Sequence, residues 1–194
     1  MAQSDEMRPA GTRLKLTYDD FVLFPDDGKR HELIDGEHYV TPSPNIRHQA
    51  ILWNLTGMIA PYLKAHSVGR AFYAPLDVVF SDFDVVEPDL LFVSKARQDE
   101  ILTPKHLRGA PDLVVEVVSP STRQRDETLK RRLYERFGVS EYWTIDPRGD
   151  TIAVDRYQNG QYVRVAHLSR AKGDTLTTTL LPGLEMPLAE IFED

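Results

Sequence analysis

Pro111-Asp112-Leu113-Val114-Val115-Glu116-Val117-Val118-Ser119-Pro120-Ser121-Thr122 is the stretch whose reading decides the fold. Its apolar run reads as a strand buried on both faces. Ser119 to Thr122 then supplies a helix cap, Arg123 to Phe137 a helix and Gly138 its end. Glu141 to Ile145 returns as a second strand. Strand, helix, strand is a parallel crossover unit, normally right-handed, and it makes the Leu113 strand a central one.

Upstream of this unit, Thr17 with Asp20 caps a short helix through Phe21, Val22 and Leu23. Glu32-Leu33-Ile34 and Glu37-His38-Tyr39-Val40 flank Asp35-Gly36, a dipeptide that favours a tight hairpin turn. Ile51, Leu52, Leu55, Met58, Ile59 and Leu63 recur at helical spacing, which predicts an amphipathic helix over 45–65, with Gly57 and Pro61 against it. Arg70 to Tyr73, Leu76 to Phe80 and Val85 to Val93 read as strands of a meander, and 94–108 as loop. Downstream, 151–157 and 162–168 form a second hairpin around Asn159-Gly160, followed by a short closing tail. The sum is an α+β fold, a mixed β-sheet flanked by helices with N-terminal and C-terminal β-hairpins. Residues 1–15 are expected to be a flexible lead-in and 16–194 a single domain.

Composition narrows the function. With 194 residues, 41% hydrophobic and 27% charged, and 8 Phe, 8 Tyr and 2 Trp, the chain has the material for one folded core. It has no cysteine, which excludes a disulfide scaffold, Cys-ligated zinc, iron–sulfur clusters and thiol chemistry. No apolar run reaches a membrane span, and the polar N-terminus lacks a signal-like segment, so a cytoplasmic protein without membrane partners is expected. The net charge of −7 offers no global attraction for nucleic acid. The exception is 123–136, where Arg123, Arg125, Lys130, Arg131, Arg132 and Arg136 outnumber Asp126, Glu127 and Glu135.

Alternation puts Glu116 on one strand face with Val114 and Val118, while Leu113, Val115 and Val117 face the other way. A carboxylate buried there needs a cation, a metal or strong donors, and a structural salt bridge to an arginine would also serve. Asp89 follows Pro88, which cannot donate to a sheet ladder, so it sits at a break or caps a turn. If the two strands are neighbours, charges about 4 Å apart repel by about 4 kcal/mol at intermediate dielectric. A divalent cation such as magnesium or manganese relieves that repulsion and organises phosphate-ester hydrolysis. On the following helix Leu129, Leu133 and Phe137 form the apolar stripe, with Lys130 and Tyr134 at its border, so Lys130 leans toward the face that carries Glu116. There it would neutralise a pentavalent phosphate or orient the attacking water, or else simply pair with Asp126 at i, i+4. His48 is read as a cap or surface residue that can also line a site, and Tyr134 as a core residue with a bonded hydroxyl.

Glu32-Leu33-Ile34-Asp35-Gly36-Glu37, Thr41-Pro42-Ser43-Pro44 with His48, Ala74-Pro75-Leu76-Asp77-Val78, Glu87-Pro88-Asp89-Leu90, the 111–122 run and Glu141-Tyr142-Trp143 together resemble the Uma family. The resemblance covers most of the chain from about Leu16. It implies a restriction-endonuclease-like nuclease, whose motif is Pro-Asp, then an acidic residue, any residue, and lysine. Pro88-Asp89 and Glu116 match, but Val118 stands where the lysine belongs, and Lys130 is the candidate for a lysine displaced onto the helix. By analogy Glu32 is a further metal ligand beside Asp89 and Glu116, and Asp77 lines the site. The implied function is a magnesium- or manganese-dependent phosphodiesterase, a DNA endonuclease, with which a homodimer is compatible; from the basic excess over 123–136, Arg123, Arg125, Arg131 and Arg132 are expected to contact phosphates. The alternative that Val118 motivates is a catalytically silent nuclease fold that binds nucleic acid or protein.

Overall fold

The computed structural model describes residues 14–193. In chain order its elements are α1 (Tyr18–Phe21), β1 (Arg30–Ile34), β2 (Glu37–Thr41), α2 (Ile46–His66), β3 (Gly69–Tyr73), β4 (Val78–Ser81), β5 (Asp84–Val86), β6 (Leu90–Ser94) and α3 (Gln98–Ile101). They continue with β7 (Leu107–Arg108), β8 (Leu113–Val117), a π-helical segment (Arg125–Lys130) running into α4 (Arg131–Arg136), β9 (Glu141–Asp146), β10 (Thr151–Gln158) and β11 (Gln161–Ser169). The chain closes with β12 (Thr175–Leu176), β13 (Met186–Pro187) and α5 (Leu188–Ile191).

The crossover unit forms as its pattern dictates. β8 pairs parallel with β9 and antiparallel with β6, inside a six-stranded sheet ordered β11-β10-β9-β8-β6-β3. Leu113, Val115 and Val117 join the core beneath α2 (Ile51, Leu55, Ile59), and Val114 faces the core that holds Leu133 and Tyr134. Both hairpins form where expected, because Asp35-Gly36 and Asn159-Gly160 supply two consecutive positive φ values, 54° and 73°, then 51° and 88°. That geometry matches the twist of the flanking strands. Thr17 and Asp20 close a capping box on α1, and Asn45 caps α2 through the His48 amide.

The mixed β-sheet architecture forms, divided between two main sheets, and the meander needs correction. The run expected as one strand over 85–93 is two strands in two sheets: β5 lies in a five-stranded sheet ordered β2-β1-β5-β4-β7, and β6 lies in the larger one. Pro88 removes a ladder donor, and the chain uses that break to cross between sheets. The space between the two sheets is filled by Ile34, Val78 and Val86 from one and Leu91, Val93, Val114 and Tyr142 from the other. The outer face of the smaller sheet is covered by Leu16, Tyr18, Phe21 and Phe24. Residues 94–108 are not all loop, since they carry α3 and β7, which pairs parallel with β4. The closing tail contributes Leu176, Leu181, Met186, Leu188, Ile191 and Phe192 to the main core. Of the lead-in expected over 1–15, residues 1–13 lie outside the described residues. Lys15 is held on the first hairpin turn, pairing with Asp35 at 2.5 Å beside the hydrogen bond that the Leu16 N–H donates to the Gly36 carbonyl. No described helix is long and apolar enough to cross a membrane.

Candidate active site

β1, β8, the π-helical segment and the residue just before β6 aim ionisable side chains at the inter-sheet space. On β1, Ile34 faces the inner core, so Glu32, two residues earlier, faces it too. The Leu90 to Val115 register of β6 on β8 sets Asp89, one step earlier, beside Glu116, and the Val117 amide donates to Asp89 Oδ2 at 2.9 Å. The neighbouring-strand condition on the two carboxylates is therefore met.

Lys130 reaches them by way of the helix irregularity. The Arg131 amide bonds to the Asp126 carbonyl, an i→i+5 contact that widens the turn. Asp126, Lys130 and Tyr134, each four residues apart, thereby all turn inward and are 3%, 2% and 0% exposed. The expected α-helix over 123–137 is thus π-helical in its first half, and Lys130 is enclosed, not at a border. Its ammonium lies 2.7 Å from Glu32 Oε1, 2.9 Å from Glu116 Oε1 and 3.9 Å from Asp126 Oδ1. The i, i+4 pair exists, but as the longest of three contacts. The partner of Glu116 is this lysine, with the Tyr134 hydroxyl donating to the same oxygen at 2.7 Å, and among the described residues no arginine takes that role.

The three carboxylates are held in different states. Burial raises the pKa of Asp89, but a bond to His48 Nε2 at 3.0 Å and Arg30 at 2.8 Å outweigh it and hold the group down at about 2. Burial also raises Glu32, and Lys130 with Arg125 overcome it, so Glu32 stays below its ordinary value. Glu116 is pushed up to about 8 by burial, aided by Asp126, Asp89 and Glu32 and opposed by Lys130. Lys130 is held firmly charged: burial works against it and the surrounding carboxylates win. Burial, with Asp77 and Glu32 nearby, lifts Glu87 to about 7.

A cavity of about 410 Å³ opens on this network, lined by Asp89, Glu116, Lys130, His48, Arg123 and Arg125 among others. Two of the four arginines expected on phosphates therefore border it. Arg131 does not, because it pairs with Asp155 on β10 at 3.2 Å and lies over the Tyr162 ring, and Arg132 is exposed away from the cavity. Asp77, expected to line the site, is not among the residues that border the cavity; its electrostatic neighbours are Glu87 and His106. Tyr134 acts through Glu116 and does not line the cavity.

The donor set bears on the expected metal. Glu32, expected as a further ligand, is engaged at both oxygens, Oε1 by Lys130 and the Glu87 amide and Oε2 by Thr41 and Arg125, and it does not line the cavity, whereas Asp89 and Glu116 do. No three acidic or histidine side chains among the described residues converge as a ready-made metal cage. Asp89 and Glu116 remain, and Glu116 Oε2 accepts no hydrogen bond among the described residues. Magnesium is commonly held by one or two carboxylates plus substrate phosphate, so this pair fits such an ion.

Sequence reading missed Arg30 and Thr41. The i, i+2 alternation on β1 that sets Glu32 inward also sets Arg30 inward, which was the available signal. Thr41 gave none.

The Uma2 family, described as "Putative restriction endonuclease", matches residues 18–189. The chain belongs to the Uma2 family. Among solved structures, this Uma2 chain is similar to one from Anabaena variabilis described as "a putative nuclease belonging to DUF820", with 23% identity, 91% of this chain and 97% of that one covered, and a TM-score of 0.76. That likeness establishes the nuclease-type α+β fold. No curated protein matches the chain.

Proposed function

We propose that this Uma2 chain is a divalent-metal-dependent phosphodiesterase that cuts DNA. The observation that carries the reading is the delivery of Lys130 from the helix to Glu116, at 2.9 Å beside Asp89 in one cavity, which compensates for Val118 at the motif position. Asp89 and Glu116 would hold magnesium or manganese, which when bound polarises the phosphate and activates water. Tyr134 and Lys130 fix Glu116 Oε1 and leave Oε2 to the cavity. His48 and Arg30 hold Asp89 ionised in its orientation. Lys130 sets a positive charge where charge accumulates on a pentavalent phosphate. Arg123 and Arg125, at the cavity wall, attract the backbone to an acidic protein.

The test is Glu116→Gln with DNA in magnesium or manganese. Cleavage should vanish while circular dichroism and unfolding remain those of a folded chain, and retained cleavage refutes the mechanism. One observation favours a second reading, a silent nucleic-acid-binding module: both oxygens of Glu32 and of Asp89 are already engaged by protein donors. That module would bind DNA with steep salt dependence and show no turnover in either metal.

A further inference from the structure

A second cavity of about 680 Å³ adjoins the first and shares Arg30, His48 and Asp89 with it. It lies among α2, the link after β2 and the link after β3, and hydrolysis makes no use of it. Three features there are unfavourable in an empty surface. Trp53 projects from α2 with 78% of its surface exposed, and Tyr73 at the end of β3 is 44% exposed. Between Arg47 and Lys64, α2 carries no Lys, Arg, Asp or Glu, so its outward face (Gln49, Trp53, Gly57, Pro61) lacks the charges usual on a solvated helix. Glu87, 8% exposed, borders the cavity, and among the described residues nothing donates to its carboxyl, whose Oε2 is fully enclosed. A buried polar group without a partner calls for one.

We propose that this cavity accepts one unstacked nucleobase of a DNA strand whose adjoining phosphate lies in the first cavity, with Trp53 as the stacking face and Glu87 as acceptor for an exocyclic amino group. The inference rests on the phosphodiesterase reading, since it is the shared wall with that cavity that points to nucleic acid. Proteins that read a base outside the stack combine aromatic contact with hydrogen bonds to its edge. A base still stacked in a duplex offers no free face to Trp53, so the substrate class is single-stranded or locally opened DNA. Cytosine presents an amino group that a carboxylate accepts, whereas thymine presents an oxygen at that position. An apolar peptide on the same surface would cover Trp53 and leave Glu87 unpaired.

The experiment measures fluorescence anisotropy of labelled oligodeoxycytidine and oligothymidine on the whole chain in EDTA, where cleavage plays no part, at a pH above the value of about 7 to which Glu87 is lifted, so that its carboxylate only accepts. The wild type should prefer oligodeoxycytidine. Trp53→Ala should weaken both complexes about 5- to 150-fold, the range of lost base–aromatic stacking, while Trp53→Phe retains most of the affinity. Glu87→Leu removes a carboxyl that has no protein partner, so the chain should fold and bind oligothymidine as before but lose the preference for cytosine. Binding unchanged in Trp53→Ala, or a cytosine preference that survives in Glu87→Leu, overturns the proposal. So does a wild-type dimer in sedimentation whose tryptophan emission is wholly that of buried indole, because Trp143 is fully buried and any solvated emission must come from Trp53. A chain that binds through Trp53 and Glu87 yet cuts no DNA overturns the phosphodiesterase reading and leaves this one standing. A chain that cuts DNA while both variants bind as wild type overturns this one alone.

Discussion

Lys130→Met removes a single positive charge from among Glu32, Glu116 and Asp126, and its cost follows from their arrangement. The ammonium is 2% exposed and makes two contacts under 3 Å and one at 3.9 Å, so no water replaces it when it goes. Breaking a buried pair by deleting one partner costs about 3–5 kcal/mol, which for a domain of this size is a fall in Tm of roughly 6–20 °C. The cost should depend on pH with a definite sign. In the wild type Glu32 lies below its ordinary value, so its pairing stabilises above the unfolded carboxyl pKa and is lost as pH falls through the folded one. Without Lys130 the same carboxyl rises above its unfolded value, and folding then takes up a proton. The stability of the variant should therefore increase as pH falls from 8 toward 5, by about 1.4 kcal/mol per pH unit for one proton. Urea unfolding of both proteins at pH 8, 7 and 6 reads the difference. A penalty under 1 kcal/mol, or one equal at all three pH values, refutes the account of Lys130 as the cation that keeps Glu32 charged.

Three further outcomes follow from other residues. His48→Ala leaves Asp89 with Arg30 and the Val117 amide but removes a buried orienting contact, so turnover should fall about 10- to 100-fold with a loss of about 1–3 kcal/mol in unfolding, and wild-type kcat would remove His48 from the site. Gly69→Ala places a Cβ 2.4 Å from the Val93 carbonyl oxygen and 2.5 Å from Phe92, so the β3–β6 pairing must shift, and a loss of about 1–3 kcal/mol is expected in chemical unfolding. Asp155, fully buried, accepts two bonds from Arg164 and two from Arg131, and despite burial these hold its pKa below the ordinary value. Asp155→Asn should destabilise the protein at neutral pH, and the gap to wild type should close as pH drops through the carboxyl range. A gap that stays constant with pH contradicts the pairing.

How much was legible in the residues depended on how local the cause was. Alternation in β8 placed Glu116 on its face, and two Asx-Gly turns placed both hairpins, because neighbouring residues alone set those outcomes. Pro88 marked a break, but nothing in a run of nine residues says that its halves belong to different sheets. The turn from α to π bonding before Lys130 is likewise decided elsewhere, since Tyr142 donates to the Asp126 carbonyl at 3.1 Å and Glu32 and Glu116 draw the lysine inward. Asp77 and Glu32 show the limit of carrying residues over from a resemblance, since neither lines the cavity that holds Asp89 and Glu116. The C-terminal residues that complete the main core have no periodicity, interrupted as they are by Pro182, Gly183 and Pro187, and so read as a tail.

The burial of Lys130 has a consequence for descent. The side chain that would serve the reaction is also the counterweight to three enclosed acids, so a lineage that ceased to cut DNA would gain nothing by discarding it and would risk losing the fold. Inactive relatives are then expected to keep Glu32, Glu116 and Lys130 together, and the survival of that trio in a sequence measures architectural necessity before it measures activity. Selection for cleavage should leave its trace instead at positions that the framework can spare.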